Sequence, residues 1–573
     1  MRLTYRRLAP FAKPYAGGFV IAACAALLSA ALQLVGPWVQ KELIDRVLPG
    51  HLGRELFNYT LLWGSAAVLA QVTRVLSAYV LSKTTQNMAT EIRCRLASHA
   101  TRCSYRDFQQ NGVPQLMALM TNDSSRIAQD LVTIILAVLM GVFSLVGNAA
   151  LLCAISLPLV LIAVVVVPVV LILGSSLMRP LESLARSVQN AMANLTVRVK
   201  DQLDGARDIR IASAQHWSAK AVENASSAYA MAFVRRDLFL GLAISVMDLS
   251  TLLPTVVVFL AGGLLVLKGR LSIGSLIAFS GYLVRILEAP RQLSGALGSL
   301  QPLKACLDRI YEFLEIPLES GGILELPPIV SPLALKQVSF RIGQKAILDS
   351  VDILLERGRD IAIVGESGSG KTSLALVMGA LVRAESGAVL LGDRSLHQFQ
   401  LDSIRKRIQA VFLDSHIFGA SLRDNIRLGR EYVSDSDVVN ACRLAQLDGV
   451  IASFERGLDE IMQPGGTNLS SGQKQRVALA RALACRPDFL ILDEALSALD
   501  SATEHCFWEA LLTSQDRPTI VYISHDLEMA SKFERIYVMD SGRVVQNGTH
   551  AELVNQPGVY RTLWQARGYT SQQ

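Results

Sequence analysis

The stretch Leu157 to Leu173, LPLVLIAVVVVPVVLIL, contains no charged residue. A helix in a soluble core nearly always keeps a polar face, so a charge-free run of this length belongs in a bilayer, where the backbone must satisfy its own hydrogen bonds as a helix. Taken to Leu177 it is one of six such stretches; the others run over Gly17 to Trp38, Phe57 to Val80, Leu131 to Leu152, Leu238 to Leu267 and Ile273 to Leu287. The composition agrees: 51% hydrophobic and 18% charged is too apolar an average for a soluble enzyme of 573 residues. The expected first half is an all-α transmembrane domain of six helices over 1–318.

The connections alternate in length. Short loops join the first and second stretches, the third and fourth, and the fifth and sixth, whereas the two remaining connections span about fifty residues each. These long connections carry most of the loop arginines, among them Arg93, Arg95, Arg102, Arg106, Arg186, Arg198, Arg207 and Arg210. The positive-inside rule therefore makes them, and both termini, cytosolic. Few helix breakers interrupt them, so the helices are expected to continue beyond the membrane. Tyr105 to Gly112 is an exception and suits a short transverse helix docking on a cytosolic partner. Leu3 to Tyr15 mixes Arg6, Arg7 and Lys13 with Leu8 and Phe11, which suits an interfacial elbow on the cytosolic surface. The apolar stretch behind it is too long for a signal-peptide core, so no cleavable signal is expected. Pro168, Pro254 and Pro290 are candidate kinks.

Arg74, Asp248, Arg285 and Glu288 fall at membrane depth, where a charge is costly unless it faces a cavity or a partner. Two readings stand side by side: these residues line a substrate cavity, or Asp248 pairs with Arg285 or Arg291 and locks the fifth and sixth helices together. The net charge of +6 is mild and unclustered, which argues against a nucleic-acid partner. The eight cysteines lack metal-ligand spacing and are assigned no role.

The composition shifts at Glu319-Ser320-Gly321-Gly322 and Pro327-Pro328, so 319–330 reads as a linker and 331–573 as a globular α/β domain. Its centre is Gly365-Glu366-Ser367-Gly368-Ser369-Gly370-Lys371-Thr372, which follows the apolar run Ile361 to Val364 and opens a helix near Ser373. Strand, glycine-rich turn and helix are the context a phosphate-binding loop requires. Backbone N–H groups and the helix N-terminus converge on phosphates, Lys371 reaches the β- and γ-phosphates, and the Thr372 hydroxyl ligates Mg²⁺. Phe489 to Leu492 then forms a buried strand ending in Asp493 and Glu494. Asp493 is expected to hold Mg²⁺, mostly through water, and Glu494 to polarise the attacking water. Ile520 to Ser524 brings His525 to a strand end, within reach of the γ-phosphate. Tyr537 to Val545 reads as a hairpin turned at Ser541-Gly542. Leu469-Ser470-Ser471-Gly472-Gln473 precedes a short alanine-rich helix over Val477 to Ala484. That helix N-terminus suits an anion, but not the phosphates already cradled by Gly365 to Thr372, so its natural target is the nucleotide of a second copy.

On these residues the chain resembles the ATP-binding cassette (ABC) transporter family, as an exporter half-transporter, over nearly its whole length. Leu469 to Gln473 is similar to the family's signature, Ser497-Ala498-Leu499-Asp500 to its D-loop, and His525 to its switch histidine. Gly112 to Asp123 and Asp201 to Ile211 resemble exporter cytosolic loops. The resemblance implies an ATPase domain with an ABC-type helical subdomain. It also implies a dimer closing on two ATP molecules, each held between one P-loop and the opposite signature, with alternating access of a cavity across the bacterial inner membrane. Four positions depart from the family pattern. Ile342 stands for the adenine-stacking aromatic, Leu413 for the Q-loop glutamine, Ser471 for a signature glycine, and Pro464 for the acidic residue before the signature.

The leading expectation is an ATP-driven, homodimeric exporter of a small amphipathic molecule, a peptide ahead of lipid or drug, because Gly466 to Gln473 resembles bacterial peptide exporters. No leader-cleaving protease precedes the membrane half, so maturation in the same chain is not expected. Two alternatives remain open. Leu413 and Ile342 suit one half of a heterodimer, and Leu413 also suits a membrane regulator that binds ATP with little turnover.

Overall fold

In a computed structural model the chain is described over residues 9–328 and 331–566, apart from some helix side chains. It divides into two units, Met1–His99 with Val113–Glu315, and Ala100–Gly112 with Ile316–Gln573.

The membrane unit is helical. Its principal helices are α1 (Ala16–Gln33), α2 (Val35–Glu42), α3 (Gly53–Ala100), α4 (Ser124–Ile155), α5 (Leu157–Asp204), α6 (Gln215–Leu267), α7 (Ile273–Gly298) and α8 (Leu300–Leu314). All six apolar stretches are helical, and among the described residues three helical segments are long and apolar enough to cross a membrane. With 48 residues, α3 spans about 70 Å against a hydrocarbon layer of about 30 Å. The continuation past the bilayer expected from the missing breakers is thus real. Helix continues through Pro168, Pro254 and Pro290. Phe11, expected at an interface, is instead buried, with Arg95 over its ring at 5.2 Å and Tyr311 edge-on at 6.2 Å. Leu3 to Leu8 lie outside the described residues.

Specific polar contacts tie the helices of the unit together. Ser29 and Ser77 donate to the carbonyls of Ala70 and Ala22, both at 2.8 Å, and so pin α1 to α3. Arg309 makes two 2.8 Å bonds to Asp123, which is 7% exposed, and Cys306 donates its thiol to the same carboxylate. Arg309→Met leaves that carboxylate buried without its cation, with only the Cys306 thiol beside it. The guanidinium is half exposed, which discounts the loss to about 2 kcal/mol. Thermal unfolding in detergent is expected at a lower midpoint, with Arg309→Lys intermediate.

The second unit holds two sheets. Strands β1 (Leu333–Ile342), β2 (Lys345–Leu355), β4 (Ser386–Leu391) and β5 (Arg394–Ser395) form an antiparallel sheet in the order β2-β1-β4-β5. The central sheet, β10-β9-β3-β8-β7-β6, comprises β3 (Ile361–Gly365), β6 (Ile408–Phe412), β7 (Phe489–Asp493), β8 (Thr519–Ile523), β9 (Arg535–Asp540) and β10 (Arg543–Gly548). Every residue of β3, β7 and β8 is buried, as parallel strands covered on both faces must be. The hairpin β9–β10 turns at Ser541 (φ 47°) and Gly542 (φ 82°), the positive-φ pair that a two-residue connection needs. A helical layer, including α9 (Leu422–Arg427), α10 (Asp435–Leu444) and α11 (Ser471–Leu483), packs its apolar faces on one side of this core.

Ala100–Gly112 packs with this unit although membrane-unit helices flank it in sequence. The short helix expected there forms over Tyr105–Asn111. Ser104 N–H donates to Pro317 O at 3.3 Å, Arg106 pairs with Glu385 at 3.4 Å, and its guanidinium lies 5.7 Å from the Phe340 ring centre. The segment read as a linker is hydrogen-bonded rather than loose. Glu319 N–H donates to Arg102 O, Gly322 N–H to Phe399 O and Leu324 N–H to Gln398 O, while Glu319 pairs with Arg405 at 2.8 Å. A Cβ at Gly322 would fall 1.9 Å from Gln398 O, so only glycine fits against that backbone.

Candidate nucleotide site

Three chemical groups meet at one edge of the central sheet because the strands that carry them are neighbours in the order β3-β8-β7. Ile363 on β3 and Asp493 on β7 are both level with Ile523 on β8. The chain just past these positions places Gly365 to Thr372, His525 and Glu494 side by side, at the carboxyl ends of the parallel strands where α/β sheets bind ligands.

The loop leaves β3 and opens the helix Lys371–Met378, with Gly368 (φ 83°) and Gly370 (φ 101°) in the left-handed region. Lys371 is 7% exposed, and its ammonium bonds to the carbonyls of Gly365 at 2.9 Å and Glu366 at 2.8 Å. Burial pushes its pKa down, against the pull of Glu494 and Asp493. The buried Ser369 Oγ has no hydrogen-bond partner among the described residues. Glu366, Ser367 and Gly365 wall a cleft of about 400 Å³ shared with His525. Thr372 and Ser373 occupy the first turn of the helix.

Asp493 is 4% exposed, and burial raises its carboxyl while a hydrogen bond from the Thr372 side chain holds it down. Its Oδ1 is buried without a partner among the described residues. An orphan carboxylate oxygen beside a hydroxyl fits a hard cation such as Mg²⁺. Glu494 has φ 50°, an uncommon backbone state for a side chain of this kind, held by its N–H donating to Ile523 O at 2.9 Å. Its Oε1 lies 3.3 Å from His525 Nδ1. The acidic pair therefore splits, Asp493 inward toward Thr372 and Glu494 toward His525.

The signature stretch belongs to a different surface. The helix begins at Ser471, inside the stretch rather than at Val477, because Ser470 caps it and Gln473 closes the capping box. Leu469 is buried. A Cβ at Gly472 would stand 2.9 Å from Ala498 O. Gln475, which sequence reasoning missed, is 3% exposed and accepts from Ala498 N–H at 2.9 Å, tying the signature helix to Ser497-Ala498-Leu499-Asp500. No periodicity marks Gln475, since a buried glutamine on an exposed-looking helix start has no sequence signal. Ser497 Oγ donates to Glu494 O. Asp500, expected to serve the site, spends its carboxylate capping the helix Ser501–Leu512, accepting from Thr503 N–H at 2.9 Å and Thr503 Oγ1 at 2.8 Å. Ser471 lines a cleft with Leu413 and Asp414, distinct in its walls from the cleft at Gly365 to Ser367. Leu413 follows β6 and is 46% exposed, and Ile342 ends β1 at 51%.

In the membrane unit, Arg74, Arg285 and Glu288 line one cavity of about 480 Å³, and Asp248 is not among its walls. The Asp248–Arg285 pair does not form, because among the described residues Arg285 has no ion-pair partner within 4.0 Å. The Arg291 side chain lies outside the described residues. Asn148 also lines the cavity, and its signal was available as an amide inside the apolar run Leu131 to Leu152.

Residues 19–289 match the family model of the ABC transporter transmembrane region, and residues 348–497 match that of the ABC transporter. An ATP-dependent lipid A-core flippase of Yersinia pestis is 28% identical over 567 residues, covering 98% of this chain and 97% of that protein. A putative multidrug export ATP-binding/permease protein of Bacillus subtilis is 25% identical over 572 residues, 98% of each chain. The solved structure of a bacterial Atm1-family ABC exporter with ATP bound superposes with a TM-score of 0.81 at 22% identity, covering 98% of this chain and 99% of that one, a likeness of fold.

Proposed function

Because the chain belongs to the ABC transporter family, as an exporter half-transporter that binds ATP and couples its hydrolysis to transport, we propose that two copies export an amphiphile of the lipid or drug class across a bacterial inner membrane. This reverses the order of substrates expected from Gly466 to Gln473. The full-length relatives carry lipid-flippase and multidrug names, and those outweigh a short motif likeness. The observation that carries the proposal is the charged cavity in the membrane unit, on the same chain as a sheet edge that gathers Lys371, Asp493, Glu494 and His525.

The chain's own residues divide the work. The turn Gly365 to Gly370 wraps the phosphates with backbone N–H groups, and Lys371 exchanges its two carbonyl partners for phosphate oxygens. Thr372 and Asp493 would hold Mg²⁺, which would supply positive charge beside the phosphates. Glu494 orients the attacking water and accepts its proton, and His525, hydrogen-bonded to Glu494, reaches the γ-phosphate from the neighbouring strand. Ser471 of the signature lines a cleft other than the one at Gly365 to Ser367, which supports a second chain as the copy that completes each ATP site, and Ser497-Ala498 links the signature helix to Glu494. The termini and the ATPase unit lie in the cytosol.

The test is reconstitution of the purified chain alone in liposomes with a fluorescent lipid and, separately, a fluorescent lipophilic cation. ATP-dependent movement of either probe to the outer-facing leaflet is the expected result, and neither moving despite measurable hydrolysis sinks the lipid-or-drug reading. A second reading rests on Leu413, exposed in the signature-side cleft where an amide was expected: the chain is one half of a heterodimer. Tight ATP binding without turnover in this preparation favours it.

A further inference from the structure

The membrane cavity carries charge that the protein leaves unspent. Arg74 comes from α3, Arg285 and Glu288 from α7, and among the described residues none of the three has an ion-pair partner within 4.0 Å. Charged groups at membrane depth ordinarily pair with one another or with backbone carbonyls. The hydroxyls on the same wall show the ordinary outcome, since Ser29 and Ser77 are bonded to Ala70 O and Ala22 O.

Asn148 adds a second, independent sign. It is 2% exposed on α4, and its amide nitrogen donates to Ser144 O at 2.8 Å and Ser144 Oγ at 3.1 Å. Its Oδ1 is buried and has no hydrogen-bond partner among the described residues. Buried acceptors without a donor are rare and destabilising, so an oxygen left this way on a residue of the cavity wall marks a place for a donor. The walls therefore offer two guanidinium groups that require an anion, and one carboxylate and one amide oxygen that require N–H donors.

We propose that this cavity reads the head of a zwitterionic amphiphile, an anionic oxygen group toward Arg74 and Arg285 and a primary ammonium toward Glu288 and Asn148. The inference rests on the exporter reading and names the substrate's chemistry. A purely anionic head leaves Glu288 facing like charge. A quaternary ammonium gives neither Glu288 nor the Asn148 oxygen an N–H. A cavity of about 480 Å³ holds such a head and the start of a chain.

The full chain in phosphatidylcholine nanodiscs is titrated with three lysolipids of one acyl chain, bearing ethanolamine, choline or glycerol phosphate heads. Lysophosphatidylethanolamine is expected to bind about tenfold tighter than the other two, the worth of a charge-assisted hydrogen bond. In Glu288→Gln and Asn148→Leu that preference is expected to fall below about twofold. The wild-type series needs no variant to fold. Equal affinities, or tightest binding of the glycerol head, overturn the proposal. ATP hydrolysis in the same discs separates the two readings: turnover without head preference removes only the zwitterion, and head preference without turnover counts only against the exporter.

Discussion

Glu494→Gln is expected to lower ATP turnover by about 10³-fold while ATP affinity stays within about threefold, the loss typical of a positioned general base. The substitution is nearly isosteric, so the amide keeps the contact to His525 Nδ1 and the Ile523 backbone bond that holds φ at 50°. What it removes is the proton acceptor beside His525. Asp493 stays as it is, because its carboxylate points inward toward Thr372. Phosphate release and equilibrium binding of a fluorescent ATP analogue, measured on one preparation, check both halves. A variant that still turns over at a tenth of the wild-type rate would remove Glu494 from the role assigned to it.

Lys371→Met is expected to weaken ATP binding by about tenfold and to bring hydrolysis at saturating ATP down by about 10²- to 10³-fold, in the range seen when one preorganised charge-stabilising donor is lost. Two effects combine. The ammonium no longer balances phosphate charge, and the Gly365 and Glu366 carbonyls that it caps at 2.9 and 2.8 Å lose their donor. The second effect is structural and has its own readout, since faster amide exchange across 365–370 is expected even without nucleotide. Lys371→Arg keeps the charge but not the compact shape of an ammonium, in a position only 7% exposed, and is expected to rescue little. Binding at wild-type strength in the methionine variant would overturn the reading of the loop.

Much of the nucleotide site was legible because its parts are local. A buried strand, a glycine turn and a helix start occupy consecutive residues, and Asp493 and Glu494 announce themselves as carboxylates ending an apolar run. The hairpin at Ser541-Gly542 was equally plain, since two positive-φ residues leave few other conformations. The six apolar stretches fixed the helices of the membrane unit, because no other structure satisfies the backbone in lipid.

Contacts between distant segments were decided elsewhere. That Asp493 turns inward while Glu494 meets His525 depends on β8 lying between β3 and β7, an order that strand periodicity does not encode. Asp500 caps a helix because Thr503 follows it at the right spacing for a local bond. Residues 319–330 read as a linker by composition, and within them the backbone of Gly322 and Leu324 pairs with 398–400 and only glycine fits at 322. In the membrane unit the sequence by itself determined which charges lie at depth, because charge and hydropathy are properties of residues. Only the tertiary structure decided that Arg74, Arg285 and Glu288 share a cavity while Asp248 lies apart, because helix rotation and packing, not spacing along the chain, set which side chains face one another.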